Sequence, residues 1–260
     1  PESSLIGTGQ KISASFAAYG NAALATMLDS FDYYPNGMSI VVPGSLEVPA
    51  AMAVAERDGI NGKDFLNAIV VGYEIASRIA DSMSCSREQI SKVWGPQSAS
   101  VFAPAAAAGK VLGANQEEML STLGIAGVYA PVPSVNKWVG TGSSNNHPLR
   151  DIKIAWAWQS MSGVIAAESA KKGQRMIQKD NILDGSNGLW IMLGADGFDE
   201  NKLTVDLGVR YNISRAITKN HLGGVNTHEA IDIANIIAKE NNLKPNDIEN
   251  VNVMMDSLFS

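Results

Sequence analysis

Two aspartates, Asp29 and Asp32, stand three residues apart behind an alanine-rich apolar segment that begins at Ser15. Leu24, Leu28 and Phe31 recur near the helical period, which predicts that they bury one face of a helix ending near the aspartates. Carboxylates at the edge of a buried helix pair are candidates for proton transfer to and from a substrate. The alternative is a solvated helix end, which the charges alone favour.

A second candidate for proton transfer is His228. Asn226 is a good N-cap residue and Glu229 follows three positions later, so His228 is predicted in the first turn of a helix. A helix N-terminus disfavours positive charge, and a neutral imidazole there can accept a proton or donate a hydrogen bond to a substrate oxygen. Gly224 leaves room for an anionic ligand at this helix start, and Lys219 would add a positive charge. A surface or capping histidine is the alternative.

A glycine-rich stretch offers a third candidate site, within a long loop predicted over residues 131–150. Backbone N–H groups in such a stretch can face a carboxylate. The pattern is neither a phosphate-binding P-loop nor a dinucleotide fingerprint. Lys153 follows in the first turn of a helix predicted over 151–171, and we expect it to help orient a substrate there. The residues expected to contact substrate carboxylates are Gly140, Thr141, Gly142, Ser143 and Ser144.

Helices are predicted around all three candidates, because apolar residues recur there at the helical period. After the first run, they cover 46–56, 62–80, 97–110, 117–130 and 151–171. A turn-forming loop separates the first two, because Pro35 and Gly37 interrupt the helical pattern. Asn61 and Asn115 are predicted caps, each with an acidic residue three positions later. Residues predicted to face inward include Leu66, Tyr73, Trp158 and Ile233.

The residue pattern changes after Leu207, where a valine-rich alternating segment predicts a strand over 248–255. We therefore predict a mainly α protein, with a large all-helical domain over 1–205. Residues 206–260 would then be a second region of mixed type, part of a smaller α+β domain.

Composition narrows the classes of partner. The 260 residues carry a net charge of -6 with no basic stripe, which argues against nucleic acid and against an anionic membrane surface. No apolar run reaches the roughly 20 residues of a membrane span. His147, His221 and His228 lack the spacing of a zinc site, so we expect no metal. Cys85 is the single cysteine, which fits a reducing compartment, and we expect a cytoplasmic protein.

Several segments in order resemble the MmgE/PrpD family, which contains 2-methylcitrate dehydratases, cis-aconitate decarboxylases and an iminodisuccinate epimerase. The similar segments are LIGTGQKISASFAAYGNAALATMLDSFDYY, VVPGSLEVPAAMAVAE, AAAAGKVLGANQEEMLSTLGIAG, SGVIAAESAKKG, NILDGSNGLW and LGVRYNISRAITKN with THEAID. The resemblance implies a helical first domain, an α+β second domain, a homodimer and no cofactor. It also implies that family members extend beyond both ends of this sequence.

The family resemblance implies proton transfer at a carbon next to a carboxylate of a small di- or tricarboxylic acid. Asp29 and Asp32 correspond to the family's acidic cluster, His228 to its second-domain histidine, and Lys153 lies near its active-site lysine. We therefore expect a lyase or an epimerase. The alternative is a carboxylate-binding homologue without catalysis, or one subunit of a split enzyme. Val42 and Trp94 favour that alternative, because decarboxylase-like members carry histidines at these places.

Overall fold

A computed structural model describes residues 3–36, 39–93, 95–131, 154–176, 182–183 and 185–254. The described chain is mainly helical, as predicted, and its strands are short. The longer helices are α1 (Ala14–Thr26), α2 (Gly44–Asp58), α3 (Gly62–Ser82), α5 (Phe102–Val111), α6 (Gln116–Val128), α7 (Ile154–Lys171) and α10 (His228–Glu240). The shorter ones are α4 (Arg87–Lys92), α8 (Leu189–Met192) and α9 (Asn201–Thr204).

Small residues fill the core where α1, α2, α5 and α7 meet, because alanine side chains let helix backbones approach closely. Ala17, Ala18 and Ala22 of α1 are fully buried. The predicted stripe on α1 was therefore wrong in part, since Leu24 and Leu28 are exposed and only Phe31 is buried. Burial follows the small residues of this helix rather than its large apolar ones.

The predicted caps of α3 and α6 are confirmed. The side chain of Asn61 accepts a hydrogen bond from the Asp64 N–H at 3.0 Å and begins α3. Asn115 and Glu118 form a reciprocal capping box at the start of α6. Gly113, two residues after the end of α5, has a left-handed φ of 63° that favours glycine.

Two other predictions of inward-facing residues fail. Leu66 of α3 and Trp158 of α7 are exposed, whereas Tyr73 and Trp156 are buried on those helices. Trp156 instead packs edge-on against Phe31, with ring centroids 5.1 Å apart. Apolar side chains at helical spacing do not identify the buried face when neighbouring helices approach through alanine.

The loop predicted between the first two helices is instead a small antiparallel sheet. Its strands are β3 (Asp32–Asn36), β4 (Ser39–Val41) and β7 (Ile217–Thr218), with β3 in the centre. Asp32 lies opposite Thr218 in this sheet, so the aspartate segment is fixed against residues nearly 190 positions later. Two further pairs join β1 (Ser3–Ser4) to β2 (Lys11–Ile12), and β5 (Met83–Ser84) to β6 (Gly197–Phe198).

Polar side chains of α3 anchor the residues that follow 200. Arg78 is buried and donates to the backbone carbonyls of Val205 and Arg210 at 2.8 and 3.1 Å. Glu74 accepts from the backbone N–H of Ile213 at 3.1 Å and also pairs with Arg78. These contacts connect the predicted second region to the helical part, and the boundary near 205 stays a prediction.

The predicted strand over 248–255 is absent from its described part, 248–254, which is exposed and forms no ladder. The Ile233 prediction is also wrong, since Ile233 and its neighbour Ile237 are exposed on α10. Alternation and valine content alone do not form a strand without a neighbouring strand to supply hydrogen bonds.

Candidate active site

A buried lysine links the first aspartate to the segment before α10. The Lys219 ammonium group donates to the Asp29 carboxylate at 2.8 Å, to the Asp29 carbonyl at 2.9 Å and to the Gly223 carbonyl at 3.0 Å. Its side chain is 4% exposed, and its nitrogen lies 4.1 Å from the centre of the Phe31 ring. Three protein acceptors therefore hold Lys219, which positions Asp29 and the Gly223 turn.

Asp29 itself has an unusual backbone conformation, with a φ of 53° in the left-handed region. Its N–H donates to the Thr26 carbonyl at 3.0 Å, which closes the turn after α1. Aspartate tolerates this region better than most residues with a side chain. The turn and the Lys219 contacts together fix the direction of the Asp29 carboxylate.

His228 is the first residue of α10, so the prediction that it lies in a first helical turn is confirmed. The predicted Asn226 cap is wrong, because residues Val225–Thr227 form a 3-10 turn and Thr227 occupies the cap position. The Thr227 hydroxyl donates to the Gly224 carbonyl at 2.7 Å. Gly224 therefore begins the turn that leads into His228.

The His228 imidazole has an unpaired nitrogen. Its Nε2 atom is buried and has no hydrogen-bond partner among the described residues. The His221 ring packs against it nearly at right angles, with centroids 5.3 Å apart, and His221 Nε2 lies 2.7 Å from Asp232 Oδ1. Buried polar atoms are normally paired, so an unpaired imidazole nitrogen is a place where a ligand oxygen could bind.

Asp32 lies at the start of β3, against the N-terminus of α2. The Gly44 N–H and the Tyr73 hydroxyl face its carboxyl group and favour the charged form, yet burial outweighs them and raises its pKa. The Tyr73 oxygen is buried and makes no hydrogen bond of regular geometry within the described chain. A carboxyl group whose pKa is raised by burial is suited to exchange a proton nearer neutral pH.

Close packing around Asp32 requires a glycine at position 44. A Cβ atom on Gly44 would lie 2.3 Å from Asp32 Oδ1. Any residue with a side chain at position 44 would therefore displace the carboxyl group of Asp32. Glu47 follows one turn later on α2, and its carboxyl group is completely buried. Burial, and then the charge of Asp32, raises the pKa of Glu47 well above its usual range.

A second polar network holds the middle of β3, at Tyr34. The Tyr34 hydroxyl donates to Asp81 at 2.7 Å and accepts from the Arg215 guanidinium at 2.6 Å. Burial is the main cause of a raised pKa at Tyr34, and the Asp81 carboxylate adds to it. Arg215 also lies over the Tyr34 ring, 5.0 Å from its centre. Arg215 lies two residues before β7, so this network supports the sheet that carries Asp32.

The structure thus brings together five of the predicted site residues in one part of the molecule: Asp29, Asp32, Lys219, Gly224 and His228. Their roles stay predictions. Lys153 and the predicted carboxylate-binding residues Gly140, Thr141, Gly142 and Ser143 lie outside the described residues, as does Trp94.

Sequence reasoning missed Glu47 and Tyr73 near Asp32. Glu47 stands between Leu46 and Val48 near the start of α2, and apolar neighbours alone do not distinguish a buried acid from an exposed one. Tyr73 was predicted only as part of the core. Cys85 is no candidate nucleophile, because burial and then the nearby Asp196 carboxylate raise its pKa to about 11.

Neither a metal-binding cluster nor a membrane-spanning helix is found in the described part of the chain. Within it, no group of three or more histidine, cysteine, aspartate or glutamate side chains could hold a metal ion. None of its helices is both long enough and apolar enough to cross a membrane.

Comparison with known proteins identifies the class. The family model for the MmgE/PrpD N-terminal domain matches residues 1–200, so the chain belongs to the MmgE/PrpD family. One similar protein is the cis-aconitate decarboxylase-like protein oryM of Aspergillus oryzae, 26% identical over 234 residues. That similarity covers 84% of this chain and 45% of oryM, so the chain spans less than half the length of this relative. Both findings support a family of the dehydratase and decarboxylase type.

Proposed function

We propose that this protein is a cofactor-independent lyase or epimerase that acts on a small di- or tricarboxylic acid. In a dehydration or an epimerisation, a base would remove a proton from the carbon next to a carboxylate and leave an enolate. The enolate would then lose hydroxide, which an acid protonates to water, or would be reprotonated at the same carbon. In a decarboxylation, loss of carbon dioxide would itself leave the carbanion, which an acid would protonate. We also propose that the protein works in the cytoplasm as a homodimer.

The observation that carries this proposal is the buried Nε2 atom of His228, which has no hydrogen-bond partner among the described residues. The Gly223–Gly224 turn that leads to this histidine is held by Lys219, whose other contacts are to Asp29. Lys219 therefore ties the turn that precedes His228 to the Asp29 carboxylate. Proton transfer requires such a group within hydrogen-bond reach of the reacting atom.

We assign the acid–base steps to His228 and Asp32, because His228 has an unpaired nitrogen and burial raises the Asp32 pKa. Lys219 has three protein acceptors, so we assign it to positioning Asp29 rather than to a substrate carboxylate. Lys153 and residues 140–143 would then bind the substrate carboxylates. Each correctly placed acid or base contributes roughly 100- to 10,000-fold in rate.

The test is hydrogen–deuterium exchange at carbon, followed by NMR in deuterated buffer over a panel of small di- and tricarboxylic acids. Deuterium reaches carbon by exchange where a base removes the proton, and by protonation of the carbanion where carbon dioxide is lost, so the assay presupposes none of the three outcomes. We expect exchange with at least one acid and its loss in both His228→Asn and Asp32→Asn. Asp58→Asn is the matched control, because Asp58 pairs with Arg57 at the far end of α2 and should leave exchange intact. Exchange that survives both site variants would refute the assignment.

A second candidate is a carboxylate-binding protein without catalysis, and Val42 favours it. Val42 is 2% exposed and packs with Leu46 and Trp156, so the place of a family histidine is part of the apolar core. This residue can neither donate nor accept a proton. Thermal stabilisation by a di- or tricarboxylate, without carbon-bound exchange of that same acid, would select the binding protein.

A further inference from the structure

Glu47 is a buried acid without a hydrogen-bond partner in the described part of the chain. Its side chain is 0% exposed, and neither carboxyl oxygen has a hydrogen-bond partner within the described residues. A charged carboxylate in such a place loses its hydration without compensation, which is costly, whereas a neutral carboxyl group costs much less. The surroundings of Glu47 therefore favour the form that keeps its proton.

The neighbouring helix is shaped to admit this carboxyl group. A Cβ atom on Gly72 of α3 would lie 2.3 Å from Glu47 Oε2, and 3.1 Å from the Ala107 side chain of α5. Glu47 thus lies directly against the α3 backbone, beside Tyr73. The Tyr73 pKa is raised first by burial, then by Asp32, and also by Glu47. The three groups form one cluster between β3, α2 and α3.

Few charges act on this cluster. The charge that affects Glu47 comes from Asp32 on β3, and Tyr73 on α3 is the other titratable group beside it. From the described parts of the helices packed on α2, no lysine or arginine contributes to the Glu47 pKa. Two adjacent buried carboxylates cannot both ionise readily, so the pair holds a proton.

The proton belongs on Glu47 rather than Asp32, because their hydrogen-bond donors differ. The Gly44 N–H and the Tyr73 hydroxyl face Asp32 and stabilise its negative charge. Glu47 has no such donor within the described chain. The asymmetry leaves Asp32 as the group that ionises first.

We infer that Glu47 stays protonated in the folded protein and is a positioning residue for Asp32, so that the two carboxyl groups share a single negative charge. The inference about the proton stands on the packing alone, whereas the effect on Asp32 as a base rests on the proposed function. A neutral Glu47 leaves Asp32 free to ionise and to take a substrate proton. Ionisation of Glu47 would place a second negative charge beside Asp32, which would hold a proton on Asp32 more tightly and repel the carboxylates of an acidic substrate.

The first test is the pH dependence of stability in Glu47→Gln, since glutamine imitates a protonated glutamate. The folded pKa of Glu47 lies above its ordinary value of 4.5, so the folded state binds this proton more tightly than the unfolded state. Its contribution is fully present below pH 4.5 and is lost as the pH rises through the folded pKa. Between pH 4.5 and the folded pKa of Glu47, we compare the unfolding equilibrium constants of the two proteins. The ratio of the wild-type constant to the E47Q constant should rise by up to about tenfold per pH unit.

The readout is urea unfolding of both proteins from about pH 4 to about pH 9. Glu56→Gln on the same helix is the control, because hydrogen bonds from Lys11 and Ser4 lower the Glu56 pKa to about 2. Glu56 therefore titrates in the opposite direction, and its variant should differ from the wild type by a constant factor above pH 4.5. A constant factor for E47Q over the same window would overturn the inference.

Infrared difference spectra give a second measurement that does not require activity. The carbonyl stretch of a protonated carboxylic acid should be present in the wild type at neutral pH and absent in E47Q. Its absence from the wild type would contradict the protonated state even if E47Q folded poorly.

The exchange assay then tests the effect on Asp32 separately. We expect the exchange rate of the wild type to decline at alkaline pH as Glu47 ionises. E47Q should retain exchange at neutral pH and lose that decline, a shift that a purely structural residue would not produce. The infrared and stability measurements could give the expected results while no acid shows exchange. That outcome would refute the proposed function and still support the protonated state of Glu47. Exchange with an unchanged alkaline limb in E47Q would refute the positioning role alone.

Discussion

Replacing Lys219 with methionine removes the ammonium group that joins Asp29 to the Gly223 turn and keeps most of the aliphatic stem. In this variant the Asp29 carboxylate loses its neighbouring cation, and the backbone carbonyls of Asp29 and Gly223 lose a hydrogen-bond donor. Removing one partner of a buried ion pair costs about 3–5 kcal/mol. The Asp29 side chain is 24% exposed and can regain some hydration, so we expect a loss of about 3 kcal/mol.

Urea unfolding measures this loss as a change in midpoint at constant slope. Lys11→Met is the matched control, because Lys11 forms an exposed pair with Glu56 and exposed pairs contribute little. We expect Lys219→Met to be clearly less stable than Lys11→Met. A loss at Lys219 below about 1 kcal/mol would refute the conclusion that this lysine holds the site together, since buried pairs cost more than that.

Three further predictions follow from individual contacts. Gly44→Ala should displace Asp32, because the added Cβ would lie 2.3 Å from its carboxylate. Hydrogen–deuterium exchange at carbon should then fall by about tenfold or more, while the far-UV circular dichroism spectrum stays unchanged. Exchange at the wild-type rate would contradict the crowding. Asn61→Ala should lose about 1 kcal/mol of unfolding free energy with the cap of α3, measured in urea, and an unchanged midpoint would contradict it. Cys85 in the folded protein should react slowly with iodoacetamide at about pH 8, because its thiol pKa is about 11, and speed up on unfolding; equal rates in both states would refute this.

Much of the helical architecture could be predicted from the sequence, because capping residues mark where helices begin. Asn61 and Asn115 each precede an acidic residue by three positions, and both caps are present in the structure. The buried faces were harder to predict. Leu24 and Trp158 follow the apolar period but are exposed, because the helices pack through alanines that carry little hydrophobic signal.

The candidate site was predictable in its residue types but not in its contacts. Asp29, Asp32 and His228 were named from charge, spacing and family resemblance, and the sheet pairing of β3 with β7 brings their segments together. That pairing joins two very short strands far apart in sequence, which local patterns cannot reveal. Glu47 was missed because burial of an acid depends on the neighbouring Gly72, which belongs to another helix.

The distance along the chain between the joined residues bears on how the site is assembled. Lys219 is 190 residues from Asp29, and Arg215 is 181 residues from Tyr34. Closing loops of that length costs entropy that must be offset by other contacts already formed. We therefore expect the helical core to form first, and the site to appear late in folding. During synthesis, the ribosome would have to release residue 219 before the aspartate turn could acquire its cation.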